Sequence, residues 1–155
     1  MARYVASVET SWDREAAFAY LAEFSNVSEW DSGIPRARLL DGESLTRSAR
    51  YEVVSAFMGR ETTMVYETVE IEAPRRILLR SEISSLVSLD EMTFDARPGG
   101  GTIVTYDADL TMKGAASLLE LPMRLLFTRI GDRARNGLRE RLAEPQPSPA
   151  PEPSA

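Results

Sequence analysis

A carboxylate on an otherwise apolar strand face is the first candidate for chemistry in this sequence. Asp90 alternates with Met92 and Phe94, and alternate residues of a strand share one face. Burial disfavours the charged form of a carboxyl group, so Asp90 there would have a raised pKa and could act as a general acid or base. The alternative is a carboxylate at a strand end, which reaches solvent or pairs with an arginine such as Arg80.

Two tyrosines and a second carboxylate fall on other predicted inward faces. Tyr51 and Tyr106 would offer a ring for apolar contact and a hydroxyl for a polar group of a ligand, with plain core packing as the alternative. Glu67 lies between Val65 and Val69, although a register error of one residue would turn it outward. The catalytic candidates are Asp90, Glu67 and Tyr106.

The rest of the composition restricts the chemistry. The 155 residues include no histidine and no cysteine, which excludes imidazole bases, Ser-His-Asp triads, thiolate nucleophiles and disulfides. Of the 18 basic residues only Lys113 is a lysine, which leaves little scope for Schiff-base chemistry. The sequence shows no metal-ligand motif and no nucleotide fingerprint, so we expect neither a metal nor a cofactor.

Charge and the N-terminal residues indicate partners and compartment. A net charge of −6 disfavours a nucleic-acid-binding surface. The first five residues show no apolar segment typical of a signal peptide. No stretch approaches the about 18 uncharged apolar residues of a membrane-spanning helix. We expect a cytoplasmic protein that does not bind nucleic acid.

The strands that must position these side chains follow one another along most of the chain. After a first strand at residues 4–9, short turns rich in glycine and proline separate the later strands. These short turns imply an antiparallel meander, because parallel neighbours need long connections. The glycines at 99–101 are predicted to form a hairpin turn with positive φ. The later strands are predicted at residues 36–41, 48–58, 61–72, 76–84, 87–96 and 102–112.

Helices are predicted before and after this group of strands. Ser11 would cap a short helix, and Ser25 would cap a second one that ends at Trp30. A long C-terminal helix follows the capping-box pair Ser117 and Glu120. Its first half is apolar on more than one side, whereas its second half carries small residues. This difference predicts a cavity beneath the first half and tight packing of the second.

The chain divides into one domain, residues 2–143, and a Pro-rich tail, residues 144–155. Five of the nine prolines fall in the last eleven residues. Such a segment cannot form a helix and buries little surface, so we expect it to be disordered.

Four short segments carry a family resemblance. They are residues 12–18 at the first helix, 28–30 after the second, 66–77 across two strands, and 100–106 at the start of the last strand. With the order of elements, they resemble the helix-grip fold of the START/Bet v 1-like superfamily (SRPBCC). The branch they resemble is that of polyketide cyclase/dehydrase and lipid-transport proteins, over about residues 2–143.

The resemblance implies an α+β fold with a curved seven-stranded antiparallel sheet around the long C-terminal helix and two short helices after strand 1. It also implies an elongated apolar pocket between sheet and helix, the usual kind of small-molecule site. Combined with the alternation of side chains, it gives an expected lining: Trp30, Tyr51, Val53, Phe57, Val69, Leu79, Met92, Phe94, Tyr106, Leu121, Leu125 and Leu126.

Three functions fit this resemblance. The leading hypothesis is binding of a hydrophobic or aromatic small molecule, lipid-like or polyketide-like. The first alternative is a polyketide cyclase or dehydratase that works without metal or histidine, by orientation and a few polar groups. The second is a protein-interaction or chaperone-assisting module, which predicts a filled core.

The C-terminal helix also has a distinct charge. Between residues 122 and 143 it carries six arginines against Asp132 and Glu140. A membrane surface or an acidic carrier protein could use this face. The alternative is a solvated face whose late arginines, Arg135 and Arg139 among them, suit the helix dipole. A homodimer is also left open.

Overall fold

Seven strands and three α-helices make up the described part of the chain. The computed structural model describes residues 2–57 and 59–148, without the side chains of Phe57 and Glu120. The strands pair antiparallel in one sheet, in the order β1-β7-β6-β5-β4-β3-β2, which confirms the predicted meander. They are β1 (Ala2–Thr10), β2 (Arg36–Asp41), β3 (Arg50–Phe57), β4 (Arg60–Glu72), β5 (Arg76–Glu82), β6 (Leu86–Ala96) and β7 (Thr102–Met112).

The helices confirm the predicted helix-grip arrangement. Two short helices follow β1, namely α1 (Arg14–Ala22) and α2 (Val27–Trp30), with a 3₁₀ turn at Phe24–Asn26 between them. The long α3 (Glu120–Leu142) closes the domain after a 3₁₀ segment at Gly114–Leu119. Among the described residues, no helix has the length and apolar character needed to cross a membrane.

The predicted helix caps are wrong in detail. Asp13 rather than Ser11 precedes α1, and its side chain makes no capping hydrogen bond. Ser25 lies inside the 3₁₀ turn and donates to Glu23 Oε1. Ser117 donates to the Gly114 carbonyl oxygen within its own 3₁₀ segment, so it does not cap α3. In each case the helix starts two or more residues away from the predicted cap.

The inner face of the sheet follows the predicted alternation in β5, β6 and β7 but not in β4. In β4 the buried residues are Met64, Tyr66 and Thr68. A bulge then places Val69 outside the ladder, between the pairs Thr68–Leu79 and Glu70–Leu78. Alternation cannot run through an extra residue, so it changes face there. The prediction for β4 extended the later pattern back through the bulge and was one residue out of register.

The second half of α3 packs closely on the rest of the domain. Ala134, Leu138 and Leu142 are buried in the core. A Cβ atom on Gly131 would lie 2.4 Å from the ring of Tyr4, and one on Gly137 would lie 1.8 Å from the Trp30 carbonyl oxygen. Glycine at both positions therefore lets the helix approach β1 and α2 directly.

The end of α3 is also tied to α1. The Arg141 guanidinium lies 4.6 Å from the centre of the Tyr20 ring and 5.1 Å from that of Trp12. The Trp12 indole donates to the Glu144 carbonyl oxygen at 2.8 Å, and Gln146 Oε1 accepts from the Asp13 backbone N–H at 2.8 Å. The first residues after α3 therefore contact α1. Residues 149–155 of the predicted tail lie outside the described residues, so its disorder stays a prediction.

Candidate ligand pocket

A cavity of about 290 Å³, partly open to solvent, lies between the inner face of the sheet and the first half of α3. Its apolar walls come from α2, β4, β6, β7 and α3. Met123, Phe127 and Ile130 occupy the inward side of successive turns of α3, because they are three or four residues apart. The other apolar lining side chains are Phe24, Val27, Ile34, Met64, Leu86, Ala108 and Leu110.

A cluster of polar side chains interrupts these walls at the centre of the sheet. Tyr106 on β7 donates a hydrogen bond of 3.2 Å to Asp90 Oδ1 on β6. Tyr66 on β4 donates one of 3.1 Å to Ser88 Oγ, two residues before Asp90. These four residues all line the cavity and are nearly inaccessible to solvent in the empty protein, apart from a partly exposed Tyr106 ring.

The electrostatics of this cluster follow from its burial. Loss of hydration raises the pKa of Asp90 to about 7, opposed by the hydrogen bond from Tyr106 and supported by the nearby charge of Asp31. Burial and the charge of Asp90 raise the pKa values of Tyr66 and Tyr106, which stay protonated. Near neutral pH the cluster therefore holds a carboxyl group able to gain or lose a proton beside two hydroxyl donors.

A second carboxylate and a guanidinium lie at another part of the lining. Asp31 Oδ1 accepts the Gly33 N–H at 2.9 Å, and burial raises the pKa of Asp31 while Arg133 opposes that shift. The Arg133 guanidinium lies close over Gly33, where an added Cβ would be 2.1 Å from Arg133 Nη2 and would displace the end of that side chain. The cavity thus has an acidic cluster in its interior and a cation on its wall.

Surface grooves elsewhere hold as much space but lack a buried polar cluster. One of about 460 Å³ runs between α2 and the second half of α3, lined by Glu29, Arg133, Glu140 and Arg141 among others. Its side chains are mainly charged or polar, so it offers little apolar contact to a hydrophobic ligand. The cavity between the sheet and α3 is therefore the candidate site.

The structure brings together only part of the predicted site. Asp90 and Tyr106 line the cavity as predicted. Trp30 lies behind Tyr106, with ring centroids 6.0 Å apart, so it supports the wall without reaching the cavity. Tyr51 packs edge-on against Phe24 in the core. Other predicted lining residues are packed in the filled part of the core: Val53, Leu79, Met92 and Phe94.

Three predicted positions on β3 and β4 do not contribute. Glu67 is exposed on the outer face, because the inner face of β4 falls on the even-numbered residues before the bulge. Val69 is the extra residue of that bulge. The side chain of Phe57 lies outside the described residues, so its role stays a prediction.

The predicted leucines of α3 are turned away from the cavity. Leu121 and Leu125 are 72% and 74% exposed, and Leu126 is half-buried. They belong to the wide apolar stripe, but the sequence could not show which side of it faces the sheet. Met123 and Phe127 take the inward positions instead.

Sequence reasoning also missed Tyr66, Ser88 and Asp31. Ser88 shares the face of Asp90 by simple alternation, so the signal was present in β6. Tyr66 was concealed by Val65 and Val69, whose apolar character indicated the wrong face of β4. No periodic signal marks Asp31, because it lies in the connection after α2.

A seven-stranded antiparallel sheet, a long C-terminal helix and a cavity between them define a protein of helix-grip fold. The chain belongs to the polyketide cyclase/dehydrase and lipid transport family, whose model matches residues 1–143. Members of this SRPBCC group typically bind hydrophobic ligands or act as aromatase/cyclases. No curated protein sequence matches the chain significantly.

Solved structures share the fold at low sequence identity. A START superfamily protein from Mycobacterium smegmatis has a TM-score of 0.76 at 12% identity, with 92% of this chain and 97% of that one covered. The Zhui aromatase/cyclase from Streptomyces sp. R1128 has a TM-score of 0.73 at 11% identity, with 90% of each chain covered. Ginseng major latex-like protein 151 from Panax ginseng has a TM-score of 0.63 at 13% identity, covering 92% and 98%. These likenesses show the fold alone.

Proposed function

We propose that the protein binds a small hydrophobic or aromatic molecule that carries one polar group. The observation behind this proposal is the cavity itself, which has apolar walls and a buried cluster of polar side chains around Asp90. The walls supply affinity through burial of apolar surface. Tyr106 and Tyr66 would donate to a carbonyl or hydroxyl oxygen of the ligand, and Asp90 would accept from a hydroxyl group.

The size of the cavity restricts the ligand. Its volume of about 290 Å³ is near the lower end of small-molecule pockets. A dry cavity of about 150 Å³ admits benzene, so roughly twelve non-hydrogen atoms fit here. One or two aromatic rings, or a short acyl chain, match that size. A longer polyketide chain would require the first half of α3 to move outward.

A second candidate is a cyclase or dehydratase, which the state of Asp90 favours. A carboxyl group with a pKa of about 7 can both take and return a proton near neutral pH. Asp90 would remove a proton from the carbon next to a substrate carbonyl while Tyr106 donates to that carbonyl oxygen. Asp90 would then return the proton to the departing hydroxyl, which leaves as water, so no net proton is consumed.

The third function, a protein-interaction or chaperone-assisting module, required a filled core. The cavity supports the first two functions over this one. An acidic carrier protein stays a prediction, and part of the arginine-rich surface already has partners within the chain. Arg141 contacts Tyr20 and Glu144, and Arg135 contacts Asp132 and Asn136.

The test of binding is native mass spectrometry of the purified protein, followed by identification of co-purifying compounds. We expect a bound molecule of the stated size in the wild type. Ala108→Leu fills the cavity from β7 and should abolish the adduct, whereas Ala96→Leu, at the exposed end of β6, should keep it. An adduct that survives Ala108→Leu in a folded protein would show that the ligand lies elsewhere.

Substitution of Asp90 distinguishes the two candidate functions, ligand carriage and catalysis. Once a ligand is known, Asp90→Asn should leave its Kd within about threefold if the protein is a carrier. If the protein is an enzyme, turnover should fall by about 10²-fold or more while KM changes little, because a general acid-base group is lost. Unchanged turnover in Asp90→Asn would exclude the catalytic role.

A further inference from the structure

The first half of α3 and the 3₁₀ segment before it expose a group of leucines that the ligand pocket does not use. The leucine patch consists of Leu118, Leu119, Leu121 and Leu125, which are 85%, 57%, 72% and 74% exposed. Large apolar side chains are common singly on protein surfaces, but four in one short segment mark an interaction site. The neighbouring Ala115 and Pro122 are exposed as well and add to the apolar surface of this segment.

The patch lies directly behind the cavity wall. Leu121 and Leu125 are four residues apart and share one side of the helix, whereas Met123 and Phe127 share another side and line the cavity. The same two turns of α3 therefore separate the cavity from the exposed leucines. Whatever covers the patch would contact the one helical segment that must move to admit a larger ligand.

The local charge identifies the kind of partner. Residues 110–131 contain three bases, Lys113, Arg124 and Arg129, against one acid, Glu120, and Lys113 is paired with Glu82 at 2.7 Å. The chain as a whole carries −6, whereas residues 122–143 carry six arginines against two acids, so the long helix is a basic region on an acidic protein. A cluster of apolar side chains beside basic ones is typical of helices that lie in the interface of an anionic membrane.

Two other occupants of the patch, the C-terminal tail and a second copy of the protein, fit less well. The start of the tail is held beside the beginning of α1 by Gln146, at the end of α3 that is opposite to the patch. A second copy, related by a two-fold axis, would bring the same basic surface of both copies together, so like charges would face each other.

We propose that the leucine patch docks the protein on the surface of an anionic lipid membrane. Leu121 and Leu125 enter the boundary between headgroups and acyl chains, and Arg129 contacts lipid phosphates. The acidic remainder of the protein is repelled, which orients α3 toward the bilayer. Docking places the cavity wall at the membrane, where an apolar ligand is taken up or delivered. This role goes beyond ligand binding and is tested without any ligand.

The test is co-sedimentation with sucrose-loaded vesicles of phosphatidylcholine containing about one-third phosphatidylglycerol. We expect the wild type to sediment with these vesicles, less with pure phosphatidylcholine, and less at high salt. Leu121→Gln with Leu125→Gln should weaken partition by about tenfold or more. The control, Val5→Thr with Leu40→Thr, changes exposed apolar residues on the two edge strands and should sediment like the wild type. Arg129→Gln should reduce the preference for anionic vesicles.

Several outcomes would overturn the proposal. They are a wild type that stays in the supernatant, an equal loss in the control pair, or a wild-type dimer that the leucine variant converts to monomer in analytical ultracentrifugation. Circular dichroism checks that both pairs are folded. Ala108→Leu should still sediment, so failure of ligand binding and failure of docking are distinguishable.

Discussion

The two halves of α3 cover the same sheet but differ in what lies on each side of them. The second half is fixed by close contacts: Gly137 meets the Trp30 backbone, and Leu138 is 1% exposed. The first half has the cavity on one side and exposed leucines on the other. One continuous helix thus combines a segment that stabilises the domain with a segment whose surfaces are free to bind. Both proposed binding surfaces therefore lie on the half of the helix that is less closely packed.

Matched leucines in the two halves give the largest expected effect. Leu138→Ala removes a fully buried side chain and should lower the free energy of unfolding by about 3 kcal/mol. Leu125→Ala, at 74% exposure, should change it by less than about 0.5 kcal/mol. Urea denaturation of both variants measures the difference. Similar losses at the two positions would mean that the first half also supports the fold.

The pH dependence of stability tests the polar cluster beside the first half. The folded protein keeps the Asp90 proton up to about pH 7, whereas the unfolded chain releases it near pH 4. The folded state therefore binds more protons between these values, and the free energy of unfolding falls as pH rises from about 4 to about 7. Because Asn cannot ionise, the free energy of unfolding of Asp90→Asn should not decrease in this way as the pH rises.

At pH 8 we expect Asp90→Asn to be more stable than the wild type by on the order of 2 kcal/mol, and at pH 4 to match it. Thermal unfolding across this pH range is the measurement. Asp95→Asn is the control, because Asp95 is an exposed residue of the same strand. Parallel stability curves for wild type and Asp90→Asn would show that Asp90 does not keep its proton in the fold.

These features were unequally visible in the sequence. The strands, the order of elements and the long helix followed from alternation, turn residues and an apolar stripe, all of which are local signals. Asp90 and Tyr106 were found because β6 and β7 run without interruption. Glu67 and Val69 were misplaced because a bulge in β4 depends on pairing with β5, which no local pattern records.

The same limit explains the leucines of α3. A stripe of leucines predicts an apolar surface, but it does not say whether a neighbour covers that surface. Leu121 and Leu125 were predicted to line the pocket because leucine side chains are usually buried. Which side of the helix faces the sheet is set by the close contacts of Gly131 and Gly137 in its second half. These contacts belong to the tertiary packing, so no local pattern in the sequence records them.

The two glycines themselves allow a finer comparison within the packed half. Alanine at either position gains the same helix propensity, so the difference between the variants reports packing. Gly137→Ala would place its methyl group against the Trp30 backbone, whereas Gly131→Ala meets the Tyr4 side chain, which can shift only if its hydrogen bond to Asp132 is disturbed. We expect Gly137→Ala to be less stable than Gly131→Ala by about 1 kcal/mol. Differential scanning calorimetry measures the pair, and the reverse order would contradict the seating of α3 on α2.

Removal of the Tyr106 hydroxyl group should have the smallest effect on stability. Tyr106→Phe keeps the ring against Trp30 but removes the hydrogen bond to Asp90. That bond favours the charged carboxylate, so its loss should raise the pKa of Asp90 above about 7. Stability near pH 5 should change by less than about 1 kcal/mol, because Asp90 is neutral there and the ring remains.

Carboxyl resonances of ¹³C-labelled aspartate, followed by NMR between pH 4 and 9, measure this shift directly. Tyr66→Phe is the matched comparison, since it removes a hydroxyl from the same cluster whose partner is Ser88. A larger shift in Tyr106→Phe than in Tyr66→Phe would make Tyr106 the main donor to Asp90. If neither variant moves the titration, burial alone sets the proton affinity of Asp90. In that case the Asp90 carboxyl group would be protonated below about pH 7 with or without the hydroxyl of Tyr106. It could then donate a hydrogen bond to an acceptor oxygen of a bound ligand.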